Sequence, residues 1–457
     1  MGDKNGFMER CQEAFESASK MQNPLIVHHY DCDGITSGSI VASWFEANGK
    51  PFRMKTVRKV DAELIDSLKG EPRIIFVDLG SGSPALDELT GEVVVIDHHQ
   101  PQCKKHLQAN PHLFGFDGGS ELSAAGCAYF VFHTGVDLGI VGAVGDIQTP
   151  LRSLNHLMLD EAVEQKQVAV STDLRLFGRN SRPLTQLLTY ADDPYLPGLT
   201  GNENACATLL SDLGIPLKTG EKWRTYSDLS QKEKTTLVSS LADLLSARFS
   251  PEAAARLTGE VYTLVCRPLL TELSDASEFS TLLNACGRNG RHELGVAVCL
   301  SKPGAYEEAR VLLAEHRRNL RDGMSFAVQH VQDLGKFLLI DGRGVISDSI
   351  IGVVAGMLYP GGRNKPVLAL SFEDSGTEKS GKDFPGSGTG SASSTLKIKL
   401  STRGTRKLVE GGLNLGKILS EVCPLVGGVG GGHNIAAGAT IPADKLDEFM
   451  REFAKRV

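Results

Sequence analysis

The rhythm of hydrophobic and polar positions changes along this chain. Over about the first 150 residues, short and nearly continuous apolar runs alternate with amphipathic stretches. A strand covered on both faces is apolar throughout, so this alternation predicts a parallel sheet with crossover helices. Leu25–His29, Arg73–Val77 and Glu92–Ile96 read as strands, and residues 36–48 and 61–68 as helices. Residues 81–84 read as a turn opening a helix, and residues 121–145 as mostly helical and rich in small residues. From 161 to 320 strand signals thin out. Helical periodicity over 231–249 and 251–257 predicts a largely helical middle, with strands at 260–266 and 295–300. Residues 303–331 predict one long connecting helix, with Arg310, Arg317, Arg318 and Arg321 on a solvated face. A second α/β unit follows. It has strands at 335–341, 366–371 and 396–400, helices at 347–358 and 442–455, and no repeat of fixed period. Residues 372–394 are Gly/Ser/Lys-rich and predict a mobile loop.

Polar residues interrupt the first unit at four places, each just after an apolar run. They are His29/Asp31/Asp33 in Ile26-Val-His-His-Tyr-Asp-Cys-Asp-Gly34, then Asp78, then Asp97-His98-His99, then Asp146. In a parallel sheet the carboxyl ends of all strands lie on one edge, so residues distant in sequence converge there. Carboxylates gathered this closely repel and raise one another's pKa, which a divalent cation relieves. The donors are oxygen and imidazole nitrogen, which favours Mn²⁺ or Mg²⁺ over a thiolate-bound metal. They are too many for one cation and enough for two. Taken singly, each has another reading. Asp31 and Asp33 would cap a helix, and Asp78 and Asp146 would sit in turns.

At 457 residues, two or three domains are expected. Net charge of -7 weighs against a nonspecific nucleic-acid coat but leaves room for an enzyme that grips phosphate locally. Aromatic content of 6% argues against a long stacking platform. A polar N-terminal segment and the lack of any apolar run of membrane-spanning length predict a protein with neither signal peptide nor span. Nine scattered cysteines without a C-x-x-C spacing predict reduced thiols and a cytoplasmic location. Near the C-terminus, Val426-Gly-Gly-Val-Gly-Gly-Gly-His433 predicts an anion-binding nest, a flexible turn being the simpler alternative.

The order H-x-D-x-D-G, V-D-L-G, V-I-D-H-H and G-x-V-G-D resembles the DHH phosphoesterase superfamily, whose third motif is here Asp97-His98-His99. Glu121-Leu-Ser-Ala-Ala-Gly126, Thr281-Leu-Leu-Asn-Ala-Cys-Gly-Arg288 and the glycine run before His433 are also similar to family motifs. Leu176-Phe-Gly-Arg-Asn-Ser-Arg-Pro183 and Asp193-Pro-Tyr-Leu-Pro-Gly198 resemble archaeal RecJ-like single-strand exonucleases, including those associated with the GINS replication complex. The resemblance implies a DHH catalytic domain at 1–185, a helical middle at 186–330 and a DHH-associated substrate domain at 331–457, with the active site in a cleft between α/β lobes. It implies that His29 and Asp31 bind one metal, that Asp33, His98 and Asp146 bind a second, and that Asp78 bridges them. His99 is then a catalytic group near the scissile phosphate. Arg288, Arg403, Gly430, Gly431, Gly432 and His433 are implied substrate contacts, with a solvated strand residue the alternative for Arg403. His28 replaces His29 as ligand only if the alignment slips by one. Cys32 reads as a packed residue.

The implied activity is metal-dependent hydrolysis of single-stranded DNA from the 5′ end, with RNA a second candidate, Mn²⁺ preferred and Mg²⁺ accepted. Two alternatives stay open. One is a phosphodiesterase for short oligonucleotides or cyclic dinucleotides. The other is a replisome scaffold with secondary nuclease activity, for which GINS is a candidate partner.

Overall fold

A computed structural model describes residues 2–191, 194–249, 251–358, 365–373 and 396–457. It divides into two compact units, residues 1–313 and 314–457.

The first unit opens with helix α1 (Lys4–Ala18) and then builds β1 (Leu25–His29), α2 (Cys32–Ala47), β2 (Arg53–Val57), α3 (Ala62–Leu68), β3 (Arg73–Val77), β4 (Glu92–Ile96) and β5 (Leu107–Ala109). The strands pair in parallel, in the order β2-β1-β3-β4-β5. From β1 the chain winds first to one side, to β2, and then to the other, to β3. That reversal makes the carboxyl ends of β1 and β3 the switch point where open sheets of this kind bind ligands. The sheet is covered on both faces, as its continuous apolar strands require. Leu64, Ile65 and Leu68 of α3 pack one side with Val27, Phe76 and Val95. On the other side, Ile26, Ile75, Val77 and Ile96 join a core shared with α1, α2, α4 (Ala124–Phe132), α5 (Val136–Gly145) and α6 (Ser153–Glu164). The helix predicted from residue 36 begins four residues earlier, because Asp31 caps it by accepting the Gly34 N–H at 3.1 Å.

The middle region is held on a two-stranded antiparallel ribbon, β6 (Val168–Leu174) with a returning strand over Thr258–Leu264, in which Leu174 pairs with Thr258. Between them lie α7 (Leu184–Thr189), α8 (Glu203–Asp212), the short hairpin β7 (Lys218–Thr219) and β8 (Lys222–Trp223), α9 (Gln231–Arg248) and α10 (Pro251–Ala255). This insert has its own apolar core of leucines, including Leu187, Leu210, Leu237 and Leu241. The returning strand, β9, leads to α11 (Ala276–Arg288), α12 (His292–Cys299) and α13 (Ala305–His330). The strand predicted at 295–300 is therefore a correction: Gly295-Val-Ala-Val-Cys299 is the second half of α12. A short apolar run suits a buried helix as well as a strand, and periodicity cannot separate them. The long helix stands as predicted. Arg310, Arg318 and Arg321 are exposed, while Arg317 is partly buried.

The second unit is a mixed sheet ordered β10 (Gln332–Asp333), β11 (Leu338–Asp341), β12 (Val367–Phe372), β13 (Lys397–Arg403), β15 (Ala436–Pro442), β14 (Val429–Gly432). α14 (Asp348–Met357) covers one face through Ile350, Ile351 and Val354. α15 (Arg406–Glu410) follows β13. α16 (Leu415–Val422) and α17 (Leu446–Arg456) cover the other face through Leu419, Phe449 and Phe453. The predicted mobile loop lies, from residue 374 onward, outside the described residues. Among the described residues, no helix is long and apolar enough to cross a membrane.

Candidate metal centre

Side chains alternate across a strand, so neighbouring histidines at the end of β1 face opposite ways. His28 is buried. Its Nδ1 donates to the His29 carbonyl at 2.8 Å, and its Nε2 accepts from Thr56 Oγ1 at 2.9 Å. Burial depresses it to about 4 and keeps it neutral. Both ring nitrogens are engaged, so His28 is a core residue. His29 turns the other way. Its Nδ1 lies 3.0 Å from Asp31 Oδ2 and 3.3 Å from Asp78 Oδ2.

Asp78 follows β3 directly, in the left-handed region at φ 59°, a strained conformation for a residue with a Cβ. Its second oxygen, Oδ1, lies 3.3 Å from His98 Nε2. His98 follows β4, and its Nδ1 donates to the Gly118 carbonyl at 2.7 Å. That bond places a proton on Nδ1 and aims Nε2 at the cluster; burial opposes charge on the ring, but Asp78, Asp33 and Asp146 together raise it well above its ordinary value. His98 also lies within 3.9 Å of Asp33 and 3.8 Å of Asp146. Three overlapping sets of donors result, His29/Asp31/Asp78, Asp33/His98/Asp146 and Asp78/Asp97/His98/His99, each with its ligand atoms within 4.8 Å of one another.

The helices of the first unit hold these groups. Asp33 Oδ2 and Oδ1 accept the Ala124 and Ala125 N–H groups at 2.8 and 2.9 Å. Asp33 thus caps α4 from across the fold, which explains the stretch Ser123-Ala-Ala-Gly126. A Cβ on Gly142 of α5 would sit 2.5 Å from Asp33 Oδ1, so glycine there lets α5 approach. Asp146 is the C-cap of α5. Gln148 donates from one amide nitrogen to Asp146 Oδ2 and to the Gly118 carbonyl, both at 2.8 Å. Its oxygen accepts from Asn155 Nδ2 at 2.7 Å. Asn284 of α11 accepts the Cys32 N–H at 3.1 Å, anchoring the first turn of α2 between Asp31 and Asp33. Cys32 itself is buried, as expected of a packing residue. Gln148, Asn155 and Asn284 were not singled out from the sequence. The Asp146-Ile-Gln148 spacing and the position of Asn284 inside Thr281–Arg288 were the available signals.

Asp97 belongs to the third set, but its oxygens are already engaged. Buried, it accepts the Ser81 N–H at 2.9 Å, the His98 N–H at 2.7 Å and His99 Nδ1 at 2.8 Å. That last bond raises the His99 pKa and favours its imidazolium. His99 is more than half exposed, which leaves its Nε2 edge accessible. Burial, with Asp78 adding repulsion, pushes Asp33 well above the carboxylate range, and burial raises Asp146. Burial opposes charge on His29, but Asp31 and Asp78 outweigh it and lift it to about 11. The cluster therefore holds its carboxylates together only with positive charge among them. Divalent cations fit this all-oxygen-and-imidazole donor set and would supply that charge.

The implied substrate contacts are Arg288, in the first unit, and residues of the second unit. Arg288 ends α11 and is half-buried. In the second unit the glycine run is not a nest. It is the paired edge strand β14, in register with β15 from Val429↔Thr440 to Gly432↔Ala437. Gly430 is a packing glycine against Cys423, Leu419 and Ala439, whereas Gly431 is open and His433 exposed. Arg403 lies beside Gly352 of α14 and donates to the Thr402 carbonyl at 2.9 Å.

Residues 23–147 match the DHH family N-terminal domain, residues 176–255 the DHH-CID domain and residues 335–457 the DHHA1 domain. The chain is 29% identical to an uncharacterized protein of Methanocaldococcus jannaschii, over 97% of both chains. Among solved structures it is similar to CDC45 from Entamoeba histolytica, with a TM-score of 0.63, 12% identity and 98% of each chain covered. It is also similar to RecJ from Thermus thermophilus in complex with Mn²⁺, with a TM-score of 0.56, 16% identity and 99% of this chain covered. The match spans about half of that RecJ chain, 54%. An exonuclease RecJ bound to manganese is similar at a TM-score of 0.55 and 16% identity, covering 98% of this chain and 93% of the other. At these identities the likeness is one of fold.

Proposed function

The chain belongs to the DHH superfamily and is RecJ-like in fold, and from that premise we propose that it is a metal-dependent exonuclease hydrolysing single-stranded DNA from the 5′ end. The observation that carries this reading is Asp78, whose two oxygens each face one histidine, His29 on one side and His98 on the other. His29, Asp31 and Asp78 would hold one divalent cation, and Asp33, His98 and Asp146 a second, with Asp78 between them. When bound, such a pair clamps a phosphodiester and activates water for in-line displacement. Mn²⁺ is the preferred ion and Mg²⁺ an accepted one; Thermus thermophilus RecJ has been solved with each.

The rest of the chemistry belongs to the chain. Asp97 orients His99 through Nδ1 and raises its pKa. In its imidazolium form His99 would present positive charge, and a proton on Nε2, to a phosphate or leaving oxygen. Arg288, Arg403, Gly430, Gly431, Gly432 and His433 are proposed substrate contacts, with Gly431 and His433 offering open backbone and an exposed imidazole. All nine cysteines are unpaired, which supports a reducing, cytoplasmic setting.

A second reading draws on the fold shared with Entamoeba histolytica CDC45 along the whole chain. A replication scaffold, with GINS as candidate partner, would combine with nuclease activity, since all six candidate ligands are present. The test uses single strands labelled at either end, DNA and RNA, beside dinucleotides, with Mn²⁺ and Mg²⁺ compared. Mononucleotides should leave a 5′ label first, and Asp78→Ala should abolish turnover. Turnover of dinucleotides alone would replace this reading with a short-oligonucleotide phosphodiesterase. Normal turnover by Asp78→Ala would overturn the paired-cation scheme.

A further inference from the structure

The turn that presents Asp146 is built in an unusual way. Gln148 N–H donates to the Ala143 carbonyl at 3.0 Å, and Ile147 N–H to the Val144 carbonyl at 3.1 Å. This 6→1, 5→2 pair is the Schellman closure of a helix, whose left-handed position is normally glycine. Here the position holds Ile147, at φ 61°. A β-branched side chain in that region is a genuine outlier. It gains nothing from burial in return, because Ile147 is 85% exposed. A strained residue held one position from a candidate metal ligand points to function.

Ile147 also forms a wall of a cavity of about 190 Å³. The other walls mix apolar Leu176, Phe177 and Val261 with charged Arg175, Glu260 and Asp275. Most of its polar groups are already engaged. Arg179 donates to Asp275 at 2.7 Å, and Tyr262 donates to Glu260 at 2.8 Å. Arg175 is exposed, and its guanidinium makes one long bond, to Thr149 at 3.4 Å. The cavity falls below the roughly 300–1,000 Å³ of sites that enclose drug-sized ligands. It therefore takes one flat ring rather than a dinucleotide. Apolar Ile147, Leu176 and Phe177, the guanidinium of Arg175, which is the less engaged of the two lining arginines, and the place of Ile147 directly after Asp146 suit a nucleobase.

We infer that this cavity is a base-binding subsite. It receives the nucleobase of the terminal nucleotide, with Ile147 as the apolar edge against which the ring packs and Arg175 as its planar polar partner. The inference rests on the nuclease reading for its substrate but makes a binding claim that stands apart from turnover.

The experiment measures calorimetric binding of deoxyadenosine monophosphate and of deoxyribose 5-phosphate to the full chain with Mn²⁺, for wild type and Ile147→Gly. Thermal unfolding of both proteins is measured alongside. The wild type should bind the nucleotide about fivefold tighter than the sugar phosphate, or more, as stacking of one base implies. Ile147→Gly should lose that preference while unfolding at an equal or higher temperature, because glycine relieves the strain. Equal binding of the two ligands by the wild type, a preference retained by Ile147→Gly, or a lowered unfolding temperature of that variant would each overturn the inference. A preference that is present, and is lost in Ile147→Gly, supports the subsite even if no oligonucleotide is cut. In that case the nuclease reading fails and the subsite remains.

Discussion

Gln148 ties two candidate ligands to one rigid point, and its replacement by leucine tests how the proposed second cation site is held. The amide is buried and makes three bonds: to Asp146 Oδ2, to the Gly118 carbonyl and from Asn155. Gly118 in turn receives His98 Nδ1. Leucine keeps the volume and removes all three. Asn155 would be left with an unsatisfied buried donor, which costs about 1–3 kcal/mol. Asp146 would lose the bond that fixes its carboxylate. Partners of this kind change metal affinity by about 10–100-fold when removed, or roughly 1.4–2.8 kcal/mol. The His29/Asp31/Asp78 set makes none of these bonds. A Mn²⁺ titration followed by calorimetry and electron paramagnetic resonance should therefore show two sites in the wild type. In Gln148→Leu one site should be weakened by that factor and the other left within about twofold. Gln148→Asn, one methylene shorter, should recover part of the loss. Superposable isotherms for wild type and Gln148→Leu would refute the positioning role. Equal weakening of both sites would show that the damage is general.

Two stability predictions follow from other parts of the fold. Burial, and then Asp275, pushes Glu278 up to about 7, above the ordinary value near 4.3. Below pH 4 both folded and unfolded chains hold the proton and the full stability is present; it is lost as pH rises through 7. Glu278→Gln should therefore gain on the wild type between pH 5 and pH 8, by an amount of order 3 kcal/mol, in thermal unfolding of the full chain; a pH-independent difference would refute it. In the second unit a Cβ on Gly416 would overlap the Gly432 carbonyl oxygen where α16 crosses β14. Gly416→Ala should cost roughly 1–3 kcal/mol or more, with Mn²⁺ binding unchanged, and wild-type thermal unfolding would contradict that packing.

Much of the candidate metal-binding face was readable because parallel strands advertise themselves. β1, β3 and β4 are apolar along their length, and the residues that end them, His29, Asp78 and His98, meet because all strand ends share one edge. The flanking strands hid for the complementary reason. β2, Arg53-Met-Lys-Thr-Val57, is half-exposed and polar at alternate positions, and β5 has three residues. β6 was missed likewise, since Ala169–Thr172 face solvent. The choice between His28 and His29 was open to period-two reasoning, because neighbours in a strand face opposite sides. What no local pattern could supply is the second role of Asp33. Its oxygens close the N-terminus of α4 from 91 residues away, so the expectation that the aspartates cap a helix and the expectation that they gather round a cation are both part of one arrangement. Asp31 caps its own helix and Asp33 caps another, and both still turn an oxygen toward a histidine. A carboxylate has lone pairs enough for both tasks. The caps fix the carboxylates before any cation arrives, which is the preorganisation a tight, specific site requires.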